Sequence, residues 1–221
     1  MAFVVFMIYN AKADIKDSVL YYLNSKKPEL IGGLSARTTF IGTTKTLVSG
    51  VALGADYGGK IRLLAGIYWL PNSRPVTVRK TIDKFTASPK TVDEISKFWY
   101  LGLTGNYVFY KKGRWTLDVP VRIGFGVATV KLRDTSVFKN EISKKRSAIL
   151  PVETGIGALY KITWWIGISG GLGSRIVIGK NTSQKFSGTY YNLGVTVFFG
   201  DIYTHIRDDM KINPVNRSNR N

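Results

Sequence analysis

The cleanest alternation in the chain runs from Trp115 to Lys131, WTLDVPVRIGFGVATVK. Trp115, Leu117, Val119, Val121, Ile123, Phe125 and Val127 are apolar. Thr116, Asp118, Pro120, Arg122, Gly124, Gly126 and Ala128 stand between them. A period of two sends successive side chains to opposite faces, so the segment predicts a β-strand with one wholly apolar face. The other face lacks the Lys, Glu and Gln of a water-facing surface. Small residues and opposite charges suit the inside of a narrow closed barrel, and an unbroken apolar outside suits lipid. From Trp115 to Val127 the strand spans roughly 40 Å. Tilted by about 45°, it covers about 28 Å of membrane normal, enough for the ~25 Å apolar band of a membrane barrel.

Seven more segments read as strands: Ile31–Ile41, Thr46–Tyr57, Ile61–Leu70, Phe98–Tyr110, Ala148–Tyr160, Trp164–Arg175 and Gly188–Gly200. Together they predict an all-β, eight-stranded antiparallel up-and-down transmembrane barrel. The links alternate in length. Gly58-Gly59, Lys111–Gly113 and Lys161–Thr163 are tight turns. Pro71–Lys97, Arg133–Arg146 and Ile176–Ser187 are long and polar. The GTTK link after the first strand is short but falls on the long-link side. Short periplasmic turns with longer external loops are the habit of outer-membrane barrels.

With these strands and this loop order, Ile31–Gly200 resembles the small eight-stranded outer-membrane barrels, such as the OmpA transmembrane domain and OmpX. Its glycine-rich strands are similar in style to the porin-like barrels of Bacteroidetes. Asn192, Gly194, Val197 and Phe199 in the last strand resemble the β-signal read by barrel assembly machinery, which the resemblance makes a partner. A chance spacing in an ordinary strand is the plainer reading. In that family the aromatic residue usually ends the chain, whereas here a polar tail, 201–221, follows. The tail reads as a disordered periplasmic extension.

Strand parity points Arg37, Asp56, Arg62, Asn106, Asp118, Arg122, Glu153 and Arg175 inward. Counting from the tight turns puts Arg122 and Glu153 at similar height on adjacent strands. Eight-stranded barrels fill their interior with side chains, so this set reads as a structural lumen network. Pro120 cannot donate a ladder hydrogen bond and predicts a bulge. Tyr57, Tyr107, Tyr110, Trp115, Tyr160 and Trp164 lie near the tight turns, and Phe40, Trp69, Trp99 and Tyr191 near the long links. Two such levels match aromatic girdles at membrane interfaces.

Composition narrows the function. No run approaches the ~18 apolar residues of a spanning helix. The chain has no cysteine, which removes disulfides, thiolate metal sites and thiol nucleophiles. Its one histidine, His205, lies beyond the last strand, so histidine metal motifs and a Ser-His pair within the strands are absent. The expectation is no enzyme, no cofactor and no metal site. The formal charge of +18 raises a nucleic-acid reading. Most of the excess sits in the long links, at Arg74, Arg79, Lys80, Lys84, Lys90, Arg133, Lys139, Lys144, Lys145, Arg146, Lys180 and Lys185. Few aromatics interleave with them, which argues against nucleic acid. Facing outward, they could meet lipopolysaccharide phosphates as well as the surrounding outer-membrane lipid. A solvated loop surface is the plainer reading.

At the amino end, Ala2–Tyr9 is a short apolar run followed by the small-x-small triplet Ala11-Lys12-Ala13. Residues 1–13 therefore read as a signal peptide without a basic first region. A first strand of a soluble protein is the other reading. Residues 14–30 read as a periplasmic lead-in, in which Asp17-Ser18 could cap a short helix that Pro28 ends. The function expected is structural, adhesive or interaction-based. A soluble lipocalin-like barrel would need an apolar calyx and polar exterior. A small porin would need more strands. Ligand and oligomeric state are not legible.

Overall fold

The structure, a computed structural model, describes residues 19–24, 26–41, 44–70, 76–81, 89–134, 141–179 and 186–212. The signal-peptide segment 1–13 and the final stretch 213–221 lie outside the described residues. Residues 19–24 form a short helix, α1, within the lead-in. Nine strands follow: β1 (Pro28–Ile41), β2 (Thr44–Tyr57), β3 (Ile61–Trp69), β4 (Val76–Thr81), β5 (Pro89–Lys112), β6 (Trp115–Asp134), β7 (Glu141–Lys161), β8 (Ile166–Gly179) and β9 (Gly188–Phe198). A helix, α2 (Phe199–Ile212), ends the described chain.

All pairings are antiparallel, in the order β3-β2-β1-β9-β8-β7-β6-β5-β4. The extra pairing of β3 with β5 closes the sheet and leaves β4 outside the ring. The ring is thus an eight-stranded up-and-down barrel of β1–β3 and β5–β9. Gly58 and Gly59 have φ of 63° and 69°, the left-handed pair that a tight hairpin between β2 and β3 requires. The Asp56 carboxylate caps that turn by accepting the Gly59 N–H at 2.6 Å.

Several boundaries correct the sequence reading. Pro71–Lys97 is not all loop, because it holds β4 and the first part of β5. The supposed link Arg133–Arg146 is mostly strand, with β6 running to Asp134 and β7 starting at Glu141. The β5–β6 ladder reaches Val92↔Asp134, whereas β3–β5 pairing stops at Trp69↔Trp99 and β7–β8 pairing at Ile149↔Gly179. So β4 to β7 project from the barrel as a sheet. A sheet that leaves the barrel no longer needs one apolar face, and its sequence then reads as loop. Trp164 and Trp165 lie in a bend before β8, which starts at Ile166 and continues to Gly179. The tail is helical through Ile212 rather than disordered, because Phe199, Ile202, Tyr203 and Ile206 recur at helical spacing.

Pro120 makes no bulge. The β6–β7 register is in step at Asp118↔Gly157 and again at Val121↔Thr154. The ladder is simply interrupted where the proline donor is missing. The extra residue lies instead in β5, between Val108 and Tyr110. It turns Tyr110 to the same outward face as its partner Leu117.

The barrel is apolar outside. Each of its strands has a large apolar side chain more than half exposed: Leu34, Leu53, Ile67, Leu103, Phe125, Ile156, Leu172 and Leu193. Trp115, Tyr110 and Trp164 are exposed at the tight-turn end, and Trp99 and Tyr191 at the other. Inside, Val48, Leu70, Phe98, Val130, Ile149, Val177 and Phe186 close the long-link end. Ile31, Leu159 and Phe198 pack with Leu64 at the tight-turn end.

Candidate functional site

Between the two apolar closures lie two charged clusters. In the first, a single carboxylate faces three guanidinium groups. Glu153 Oε2 accepts from Arg122 Nη1 at 2.8 Å and from Arg37 Nη1. Its Oε1 accepts from Arg175 Nε at 2.7 Å and from the Tyr100 hydroxyl at 2.6 Å. Arg122 and Glu153 are direct register partners of β6 and β7. Arg37 reaches the same carboxylate across the lumen from β1. Arg122 Nε donates to Thr104 Oγ1 at 2.6 Å. The Tyr68 ring lies under both the Arg122 guanidinium, at 4.1 Å, and that of Arg37, at 4.8 Å. Nη1 and Nη2 of Arg175 meet no hydrogen-bond acceptor among the described residues. The Phe98 ring, 5.5 Å from that guanidinium, offers its π face instead.

The second cluster inverts the ratio. Arg62 Nε donates to Asp56 Oδ2 at 3.0 Å, and Arg62 Nη1 to Asp118 Oδ2 at 3.5 Å. Asn106 Nδ2 donates to the same Asp118 oxygen at 3.2 Å. The structure therefore brings Arg37, Arg122, Glu153 and Arg175 together, and separately Asp56, Arg62, Asn106 and Asp118. A cavity of about 140 Å³ lies between them, lined by Arg37, Arg62, Asp118, Arg122 and Glu153. Parity from sequence located the charges. It missed Tyr68, Tyr100 and Tyr190, which an alternation scan counts as apolar. It also missed Phe186, which packs edge-on against Phe98 at 5.2 Å.

Both oxygens of Glu153 are occupied by donors, so the carboxylate ties β7 to four other strands, β1, β5, β6 and β8. Inner glycines make room for the rings. A Cβ on Gly124 would sit 2.5 Å from Tyr100 Cδ2 and 3.0 Å from Pro151 Cγ. Gly124→Val is therefore expected to lower stability by about 1–3 kcal/mol through overpacking. Urea titration of the folded barrel reads this directly.

The long-link end carries a second arrangement, set by register. Trp99, Val127 and Ala148 lie on one rung, facing outward. One step further along the same face come Lys97, Thr129 and Arg146, then Ile95, Lys131 and Lys144. Same-face rungs lie about 7 Å apart along the strand. Four cations therefore stand within two rungs of the aromatic girdle, and Lys97, Lys144 and Arg146 are exposed.

Of the other predicted residues, Asn192, Gly194 and Val197 lie in β9, which pairs with both β1 and β8. Phe199 does not end the strand but begins α2. The His205 ring packs at a tilt of 48° against Trp164, with centroids 4.6 Å apart, at the tight-turn end.

This chain is a closed eight-stranded barrel. No protein-family profile and no curated protein matches it. Among solved structures it is similar to the N-terminal β-barrel domain of Pseudomonas aeruginosa OprF, with 13% identity and a TM-score of 0.45, covering 77% of this chain and 98% of that one. It is similar to Neisserial surface protein A, with 16% identity and a TM-score of 0.44, covering 77% and 95%. A major outer membrane protein from Thermus thermophilus has 11% identity and a TM-score of 0.46, covering 76% and 98%.

Proposed function

We propose that the chain is an outer-membrane barrel of a Gram-negative bacterium, closed to solutes, that serves as a membrane-embedded interaction platform. The observation that carries this reading is the inverted amphipathicity of the wall. All eight strands expose large apolar side chains outward, while Arg37, Asp56, Arg62, Asp118, Glu153 and Arg175 are buried inside. Soluble monomers rarely expose contiguous apolar patches beyond a few hundred Å². A bilayer covers such a belt, whereas a soluble calyx needs the opposite arrangement. The filled lumen supports a platform over a channel. The long-link end, with its projecting sheet, is the external end in this reading. Recognition of Asn192, Gly194, Val197 and Phe199 by barrel assembly machinery belongs to the same reading.

Lys97, Lys131, Lys144 and Arg146 give the platform a partner chemistry. They stand at headgroup height beside the girdle, and phosphate groups of outer-leaflet lipopolysaccharide match their charge. Each such cation near an anionic surface contributes about 1 kcal/mol. The barrel, refolded in phospholipid vesicles with added lipopolysaccharide, is expected to retain it in a salt-sensitive way. The variant with all four residues changed to Gln is expected to fold equally well and retain at least about tenfold less. Equal retention by the two proteins would count against these residues as the site.

A further inference from the structure

α2 is amphipathic, and beyond its first turn the described residues leave Tyr203 and Ile206 on its apolar side exposed. Phe199, Ile202, Tyr203 and Ile206 fall within an arc of roughly 100° on the helix, and Asp201, Thr204 and Asp208 lie opposite. Tyr203 is 67% exposed and Ile206 52%. The start of the helix shows which way this side faces. The Phe199 ring lies on the outer wall of the barrel, over Gly32 and beside the outward Leu53. The other flank is held at the rim. Lys161 Nζ donates to Asp201 Oδ2 at 2.6 Å, and the His205 ring packs tilted against Trp164. Ile162, Trp164 and Trp165, on the same rim, are themselves exposed apolar residues. The helix does not enter the lumen, which Ile31, Leu159 and Phe198 close at this end.

We infer that α2 is an interfacial membrane helix, its apolar side lying in the inner leaflet of the bilayer that surrounds the barrel. The inference rests on the membrane reading above. Its basis is continuity: the apolar face of α2 starts on the belt at Phe199 and runs on beyond the wall at the level of the rim tryptophans. A helix with one apolar face and one charged face lies in the interface plane with its apolar face sunk about 5–10 Å. The occupant is therefore lipid. It is neither a second copy of the chain nor water around a free tail. The charged residues of α2 are Asp201, Asp208 and Asp209 against Arg207 and Lys211, so attachment depends on apolar burial and not on anionic lipid.

Because the chain has no cysteine, single cysteines can be labelled cleanly. Tyr203→Cys and Ile206→Cys report on the apolar side, Thr204→Cys and Asp208→Cys on the polar side, and Leu103→Cys on the middle of the belt. Each full-length variant is folded into vesicles, labelled with an environment-sensitive fluorophore, and exposed to lipids carrying a quencher in the acyl chain. Labels at 203 and 206 are expected to be quenched at least about twofold more than those at 204 and 208. Equal, water-like signals at all four helix positions, with the Leu103 label quenched, would overturn the helix inference and leave the barrel reading standing. Labels at 203 and 206 that are shielded but unquenched would mean a protein cover, and would overturn it too. A Leu103 label in water would overturn the membrane reading and the inference with it.

Discussion

Glu153→Gln is expected to destabilise the folded barrel by about 3–5 kcal/mol, the range for breaking a buried ion pair by removing one partner. Glu153 is 1% exposed and is the acceptor for Arg37, Arg122 and Arg175. The amide keeps the shape but removes the charge, leaving three guanidinium groups facing one another in a closed lumen. Removing a cation instead has a different consequence. In Arg122→Gln, Glu153 keeps Arg37 and Arg175, and repulsion among the arginines falls. Its cost is expected to be less than half that of Glu153→Gln. The double variant is expected to be more stable than the sum of the single effects, because the residues share one network. Urea unfolding in vesicles, followed by tryptophan emission, gives all three values. Equal costs for Glu153→Gln and Arg122→Gln would mean that the cluster acts as independent pairs.

Ile123→Lys is expected to cost about 2–4 kcal/mol in a bilayer, the range for a lysine on the lipid face near the midplane. Ile123 is 56% exposed on the outward face of β6, between Trp115 at one rim and the Trp99 rung at the other. If that face were solvated, the change would be an ordinary surface substitution within about 0.5 kcal/mol. Thr129→Lys supplies the depth control. It lies on the same strand face but one rung beyond Trp99 and Val127, where about 0–1 kcal/mol is expected. A large difference between the two lysines would map the belt edge. Equal costs near zero would remove the lipid-facing assignment.

How much of this was legible in the sequence differs from segment to segment. In β6 the period-two pattern named both faces, because the outer wall and the lumen make opposite demands on neighbouring residues. The same pattern, with turn counting, put Arg122 at the height of Glu153. Arg37 and Glu153 are far apart in sequence and sit on non-adjacent strands. Only closure of the ring brings them together, and no local pattern encodes that contact. The projecting sheet was hidden for the opposite reason. Around Val76–Thr81 and Pro89–Lys97 neither face has to be apolar, so β-branched residues were outweighed by charge. In α2 the helical spacing of Phe199, Ile202, Tyr203 and Ile206 was present, but the polar run after Pro214 dominated the reading. Pro120 drew the expectation of a bulge because its missing donor is visible in sequence. The gap on its β7 side absorbs that loss without an extra residue.

An apolar outer wall around a charged lumen makes folding depend on a bilayer. The most direct test is to dilute the urea-unfolded full chain into buffer alone, and in parallel into phospholipid vesicles, then compare gel mobility with and without boiling. Bilayer-dependent folding predicts a heat-sensitive mobility shift and protease protection only where vesicles are present, and aggregation without them. A compact, monomeric β-sheet protein in plain buffer, with no shift added by lipid, would contradict it.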